Sequence, residues 1–322
     1  MEPTTTQSGV LAVEQPPQVS PPPLEGMGSA LPPPPSALSM HDEHVTIIEP
    51  RRGWLMPDWR EMIEYRELLY FLVWRDVKVR YKQTVLGVAW AVLQPLFSML
   101  VFTVIFGSFA KIPSDGYPYA VFVYAGLLPW TFFSSAVSIG GTSLINQQHV
   151  LTKIYFPRLF VPSAAVGAAL VDLAISFGVY AVILAVYAAF PAEGMKSAAL
   201  SWGLLAVPPL VLLTVMTALG CSWLLAALTV TYRDFRYVVP FLMQAMMYVS
   251  PVIYPVSIVP DRYQWLLALN PMAGIIDGYR SAILGKEWNL TTLGVSAAMT
   301  VAIFLYGLFY FRKTERRFAD IA

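Results

Sequence analysis

Six stretches of this chain run for twenty or more residues without a charged side chain: 83–110, 116–148, 173–192, 197–232, 237–260 and 288–311. A helix needs about 20 mostly apolar residues to cross the hydrocarbon core of a bilayer. Only 13% of the 322 residues are charged and mean hydropathy is +0.58, whereas a soluble domain carries about 25% charge. The pattern predicts an all-α integral membrane protein. Its six transmembrane helices fall at about 84–110, 118–144, 160–189 (extending the third run back past Asp172), 201–230, 238–256 and 289–311. A further uncharged run, 263–276, has 14 residues and contains Asn270-Pro271 and Gly274. It is too short to cross and reads as a short re-entrant or interfacial element before the last span.

Six crossings place both termini on one side, and the cations identify it. With the N-terminus cytoplasmic, 16 Lys and Arg fall inside and five (Lys111, Lys196, Arg262, Arg280, Lys286) outside, as the positive-inside bias requires. Ahead of the first span, residues 58–82 read as an amphipathic interface helix. Trp59, Met62, Ile63, Tyr70, Val73, Trp74, Val77 and Tyr81 recur at three- and four-residue spacing, opposite Arg60, Glu64, Glu67, Arg75, Lys78 and Lys82. The transmembrane domain covers 83–311, and 312–322 is a cytoplasmic tail. Residues 1–50 hold no Lys or Arg, six acids, and ten prolines within the first 40 positions. That composition predicts a disordered cytoplasmic tail, and it lacks the cationic start and apolar core of a signal peptide.

Catalytic chemistry is hard to find. No G-x-x-x-x-G-K-[ST] phosphate loop occurs; "EGMKS" and "YFRKT" lack the glycine before lysine. His41, His44 and His149 sit in no triad pattern, and the single cysteine, Cys221, lies in an apolar run, where a thiol is a small core residue. No Cys/His metal spacing exists. A net charge of +1 argues against nucleic acid as a partner. The reading is therefore of a non-enzymatic chain with no cofactor or metal site of its own.

Three features remain as candidates. Asp172 is the one acid within a span, about 20 Å deep if its helix starts near Leu159; it is a packing partner, a wet pore wall or, with no companion acids, a poor proton relay. The loops "NQQHVLTKIYFPRLFVP" and "TYRDFRYVVP" mix cations with aromatics, which suits either docking of a soluble partner or anchoring of helix ends. Aromatics are plentiful inside the spans, and any facing a pore would stack on sugars without gripping one hydroxyl pattern, as a sliding polymer requires.

The segments "RDVKVRYKQTVLGVAWAVLQPL", "VYAGLLPWTFFSSAV", "LTKIYFPRLFVP", "TYRDFRYVVPFLMQ", "SPVIYP" and "ALNPMAGIIDGYR" occur in the order and spacing of a known family. Over residues 58–317 the chain resembles the permease subunit of ABC-2 type exporters for bacterial surface polysaccharides, the O-antigen, capsule and teichoic-acid group. The resemblance implies a homodimer in the bacterial inner (plasma) membrane, with a channel between protomers and two copies of a separate ATPase subunit that carries the ATP and Mg2+. It implies an interface helix at 59–81 and an ATPase-coupling segment at 146–158, with Asn146, His149, Lys153, Tyr155 and Arg158. Short re-entrant helices at 251–285 would gate the external mouth, and Phe97, Tyr124, Trp130, Phe133 and Tyr248 are the candidate channel lining.

The implied cargo is a polyprenyl-diphosphate-linked glycan drawn from the cytoplasmic leaflet, with membrane lipids as neighbours. Arg75, Lys78, Arg80 and Lys82 are candidates to meet the diphosphate, although topology alone also accounts for these cations. Other readings are an ABC-2 exporter of drugs or lipids, an ion-coupled secondary transporter, and a membrane glycosyltransferase. The second lacks a convincing internal repeat and buried ionisable groups beyond one acid; the third lacks an acid or metal site.

Overall fold

The computed structural model describes residues 59–82, 87, 89–147, 156–190 and 202–315, all within one unit spanning residues 53–322. The proline-rich stretch 1–50 and residues 316–322 lie outside the described residues. Helices α1 (Trp59–Glu64) and α2 (Arg66–Lys82) precede α3 (Ala89–Phe102), which continues as π-helical turns over Thr103–Phe109. Then come α4 (Tyr119–Asn146), α5 (Phe160–Ala189) and α6 (Val207–Thr231), the last entered through a 3-10 turn at Trp202–Ala206. The chain closes with α7 (Phe235–Val249), α8 (Asp261–Ala268), α9 (Pro271–Leu284) and α10 (Leu290–Glu315). Among the described residues there is no strand.

Five helical stretches are long and apolar enough to cross a membrane: Ala89–Phe109, Tyr119–Asn146, Phe160–Ala189, Trp202–Thr231 and Leu290–Glu315. They match five of the six expected windows. The window at 238–256 differs, because α7 has 15 residues and ends at Val249, about 22 Å of helix at the ~1.5 Å rise. Pro251 and Pro255 explain the stop: each lacks an N–H and disfavours helix in the residue before it. Beyond it, α8 and α9 have 8 and 14 residues, so neither is long enough to cross. Asn270 caps α9 by accepting a hydrogen bond from the Met272 amide at 3.1 Å, Pro271 occupies its first turn, and Gly285 ends it at φ +72°.

α4 is the centre of the bundle. Its residues from Ala120 to Phe133 are apolar around the whole circumference, and 78% of its most apolar window is buried, against 6% for Ala89–Phe109. α4 and α5 tie each other reciprocally. The Tyr180 hydroxyl donates to Val121 O at 3.0 Å, the Tyr124 hydroxyl donates to Ser176 O at 3.4 Å, and the two rings stack 5.3 Å apart. α6 and α10 cross at glycines: a Cβ at Gly220 would lie 2.7 Å from Phe304 Cα. Such backbone approach is how apolar helices associate where no hydrophobic force separates them from lipid.

α2 carries two apolar faces rather than one. Leu72 is buried, and Tyr65, Leu68, Leu69 and Val73 pack with it against the start of α5. Tyr70, Phe71 and Trp74 are exposed on another side. The expected single aromatic stripe is thus divided, with Val73 and Tyr81 turned to the protein. Contacts advance along both helices: Val73 meets Gly167, and further on Arg80 and Tyr81 meet Asp172. That is about 10 Å along α2 and about 8 Å along α5, so α2 follows α5 inward here.

Candidate functional site

At the end of the bundle where α4 stops, cations of α2 meet polar groups of the spans. Arg75 Nε and Nη2 donate to Asp76 Oδ1 at 3.0 and 2.8 Å, and Nη2 donates to Gln147 Oε1 at 2.8 Å. Arg80 forms an ion pair with one carboxylate oxygen of Asp172, and the Tyr81 hydroxyl donates to the other. Burial, then the Asp172 hydrogen bond and charge, push the Tyr81 phenol far above its ordinary value, so it stays a donor. Lys78 and Lys82 remain exposed, Lys78 lying 5.2 Å over the Trp74 ring. The four cations therefore differ: Arg75 and Arg80 are engaged within the protein, and the two lysines face outward. Asp172 has found its charge partner on α2, which makes it a packing ion pair in this state.

The expected coupling segment begins at Asn146, the exposed last residue of α4. Gln147, just beyond it, is held by Arg75. At its far end, Arg158 Nη1 donates to the Glu315 carbonyl of α10 at 3.3 Å. His149, Lys153 and Tyr155 lie outside the described residues. The connection is thus tied at one end to α2 and at the other to α10.

At the opposite end, the chain between α7 and α8 leaves helical geometry, and its backbone carbonyls need donors. Arg280 of α9 is 0% exposed. Its Nη1 donates to Pro251 O at 2.7 Å and Tyr254 O at 3.2 Å, Nη2 to Val252 O at 2.7 Å, and Nε to Phe122 O at 3.3 Å. Its guanidinium carbon lies 3.7 Å over the Phe122 ring. The Tyr119 hydroxyl donates to Ile253 O at 2.7 Å. Four successive carbonyls, 251 to 254, are therefore satisfied by side chains of α4 and α9. Pairing them in this way removes the cost of buried, unsatisfied backbone acceptors. Gly126 leaves the room: a Cβ there would stand 2.8 Å from Arg280 Nη2 and 3.0 Å from Val252 O.

Beside this cage, Lys286 Nζ lies 2.8 Å from Asp115 Oδ2 and 3.1 Å from Asp277 Oδ1, and Ser257 Oγ donates to Asp115 Oδ1 at 2.9 Å. Arg280, counted from sequence only as one of the cations of the external segments, is a core residue of α9. The signal was present in "NPMAGIIDGYRSAILG", where Asp277 and Arg280 stand three apart inside a helix framed by Asn270-Pro271 and Gly285. Among the described residues, no group of three or more His, Cys, Asp or Glu comes together to hold a metal.

The candidate channel aromatics divide. Tyr124, Trp130 and Phe133 are 0%, 3% and 6% exposed, enclosed because α4 is apolar on every side. Their burial inside the protomer corrects their assignment to a channel wall. Phe97 on α3 and Tyr248 on α7 are 67% and 55% exposed. Each belongs to a stripe: Trp90, Leu93, Phe97 and Leu100 on α3, and Tyr237, Phe241 and Tyr248 on α7. The α7 stripe was readable from its four- and seven-residue spacing, yet Tyr237 and Phe241 were not selected from sequence.

Comparison with known proteins agrees with this architecture. A profile of the family described as ABC-2 type transporter matches residues 67–284. The O-antigen export system permease protein RfbA of Myxococcus xanthus is 30% identical over 264 residues, covering 81% of this chain and 97% of the relative. The protein of the same name from Klebsiella pneumoniae is 28% identical over 255 residues, 79% of this chain and 95% of its own length. The polysialic acid transport protein KpsM of Escherichia coli is 24% identical over 246 residues, 75% and 91%. With two-thirds of its length matched by the family profile and five helices able to cross a membrane, the chain belongs to the ABC-2 type transporter family, as a multi-pass permease homologous to proteins of O-antigen export and polysialic acid transport.

Proposed function

We propose that the chain is the membrane-spanning subunit of an ATP-driven exporter that moves lipid-linked polysaccharide out of the bacterial cytoplasm. The observation that carries this reading is the 30% identity to an O-antigen export permease across 97% of that relative. Two copies form the passage in the inner membrane, with both termini cytoplasmic, and two ATPase subunits supply ATP hydrolysis. In this arrangement α7 and the caged segment after it serve as the fifth crossing, α1 and α2 as the interface helix, and α8 and α9 as the re-entrant pair. The exposed stripes carrying Phe97 and Tyr248 face the cargo between the two copies.

The ties at the ends of the 147–158 connection support a coupling role. A push on that connection by an ATPase reaches α2 through Gln147 and Arg75, and reaches α10 through Arg158. The outward Lys78 and Lys82, with Arg75 and Arg80 behind them, attract the diphosphate of the cargo. Depletion of the chain tests this reading. Lipid-linked glycan is expected to accumulate inside the cells while the corresponding surface polymer disappears. Unchanged surface polymer together with retention of a drug or of free lipid overturns the cargo assignment.

A further inference from the structure

The ion pair between α2 and α5 has the form of an occupied anion site. Both oxygens of the Asp172 carboxylate are taken by donors of one helical turn, the Arg80 guanidinium and the Tyr81 hydroxyl. Both charged side chains are about one-quarter exposed, Arg80 at 26% and Asp172 at 25%, so the pair is reachable from outside the protomer. Lys78 and Lys82 flank it on the same helix and are exposed. A phosphate presents the same paired anionic acceptors as a carboxylate, with more charge. α2 is followed in the chain by α3, whose span is the least buried of the five.

We propose that Asp172 holds, in the resting protein, the place on α2 that a phosphate of the cargo takes, and that the phosphate displaces it and frees the last turn of α2 from α5. The proposal rests on the reading above, that α2 meets the diphosphate of the cargo. Asp172 is then an internal competitor: it keeps Arg80 from binding anions indiscriminately and links recognition of cargo to movement of α2 and α3.

The test uses the full chain in phosphatidylcholine nanodiscs, with farnesyl diphosphate as probe and phosphatidylglycerol as a second anionic ligand. Asp172→Asn removes the competing charge and keeps the shape; the expected result is farnesyl diphosphate binding roughly tenfold tighter. Asp172→Glu is expected to stay near wild type. Arg80→Gln is expected to bind more weakly, and the Asp172→Asn/Arg80→Gln double variant no better than Arg80→Gln. An Asp172→Asn affinity equal to or weaker than wild type, with Arg80→Gln weakened, overturns the competition and leaves the diphosphate contact standing. Unchanged affinity in Arg80→Gln overturns both. An equal gain for phosphatidylglycerol overturns the assignment of the site to cargo.

Seating of α2 is read independently. A Cβ at Gly167 would lie 3.8 Å from Val73 Cβ, the separation typical of a disulfide. A Val73→Cys/Gly167→Cys pair is therefore expected to cross-link in wild type and in Asp172→Asn. Loss of the cross-link in Asp172→Asn without tighter binding makes Asp172 a structural tie only and overturns the proposal.

Discussion

Replacing Arg280 by methionine tests the carbonyl cage directly. The side chain is unbranched and apolar and ends two atoms short of the guanidinium nitrogens, so it replaces the aliphatic stem and supplies no donors. Phe122 O belongs to a helix and keeps its helical environment, but the carbonyls of Pro251, Val252 and Tyr254 lose the donors that Arg280 supplies. A buried acceptor left unpaired costs about 1–3 kcal/mol, so three cost at least about 3 kcal/mol. Relief from burying a guanidinium offsets part of this, yet the carbonyls are backbone and cannot be removed with it. For a bundle of this size, about 3 kcal/mol lowers a thermal midpoint by roughly 6–12 °C. Size-exclusion chromatography of the detergent-solubilised chain after heating reads that shift. Arg280→Lys keeps the charge and three donors and is expected to fall between the two. A midpoint for Arg280→Met within about 2 °C of wild type would refute the reasoning.

Further outcomes follow from the same contacts. Gly220→Ala drives a methyl against the Phe304 backbone, where no side chain can swing away, and is expected to destabilise by about 1–3 kcal/mol, read by the same heating assay. Asn270→Ala removes the cap of α9 and is expected to cost about 1 kcal/mol in that assay. Burial alone would raise the Asp115 carboxyl, but the Lys286 hydrogen bond and charge and the Ser257 hydrogen bond hold it below its ordinary 3.8. Its contribution is therefore complete above about pH 4 and is lost as pH falls through the depressed value. Burial likewise works against the Lys286 ammonium, but Asp277 and Asp115 raise it above 10.5, so its contribution is complete below that and is lost only as pH rises through the raised value. The thermal midpoint is expected to be flat from about pH 6 to 9 and to fall in acid, less steeply in Asp115→Asn.

The uncharged runs made five helices legible because a span must be apolar along its whole length, a property that survives without knowledge of neighbours. α7 was not legible to its end. Its run continues uncharged to Pro260; Pro251 and Pro255 mark the break at Val249, but the side chains that satisfy the carbonyls beyond it, Tyr119 and Arg280, lie far away in the chain. Arg280 looked like an external cation for the same reason, since charge in a sequence carries no depth. Asp172 was recognisable as a buried acid, but its partners lie 91 and 92 residues away on α2. Tyr124, Trp130 and Phe133 were misassigned because a helix apolar on all sides gives no phase from which to choose a face. Phe97 sits on a helix whose only buried residue is Pro95, in a stripe with the exposed Trp90, Leu93 and Leu100.

The central claim is that this chain is one half of an ATP-driven machine. Purification from native membranes in mild detergent, with mass spectrometry of the co-purifying proteins and vanadate-sensitive ATP hydrolysis measured on the same sample, tests it most directly. The account predicts a stoichiometric subunit bearing a phosphate loop, and hydrolysis that disappears when His149, Lys153 and Tyr155 are replaced together by alanine because that subunit is lost. A homogeneous preparation with no such subunit and no hydrolysis would contradict it.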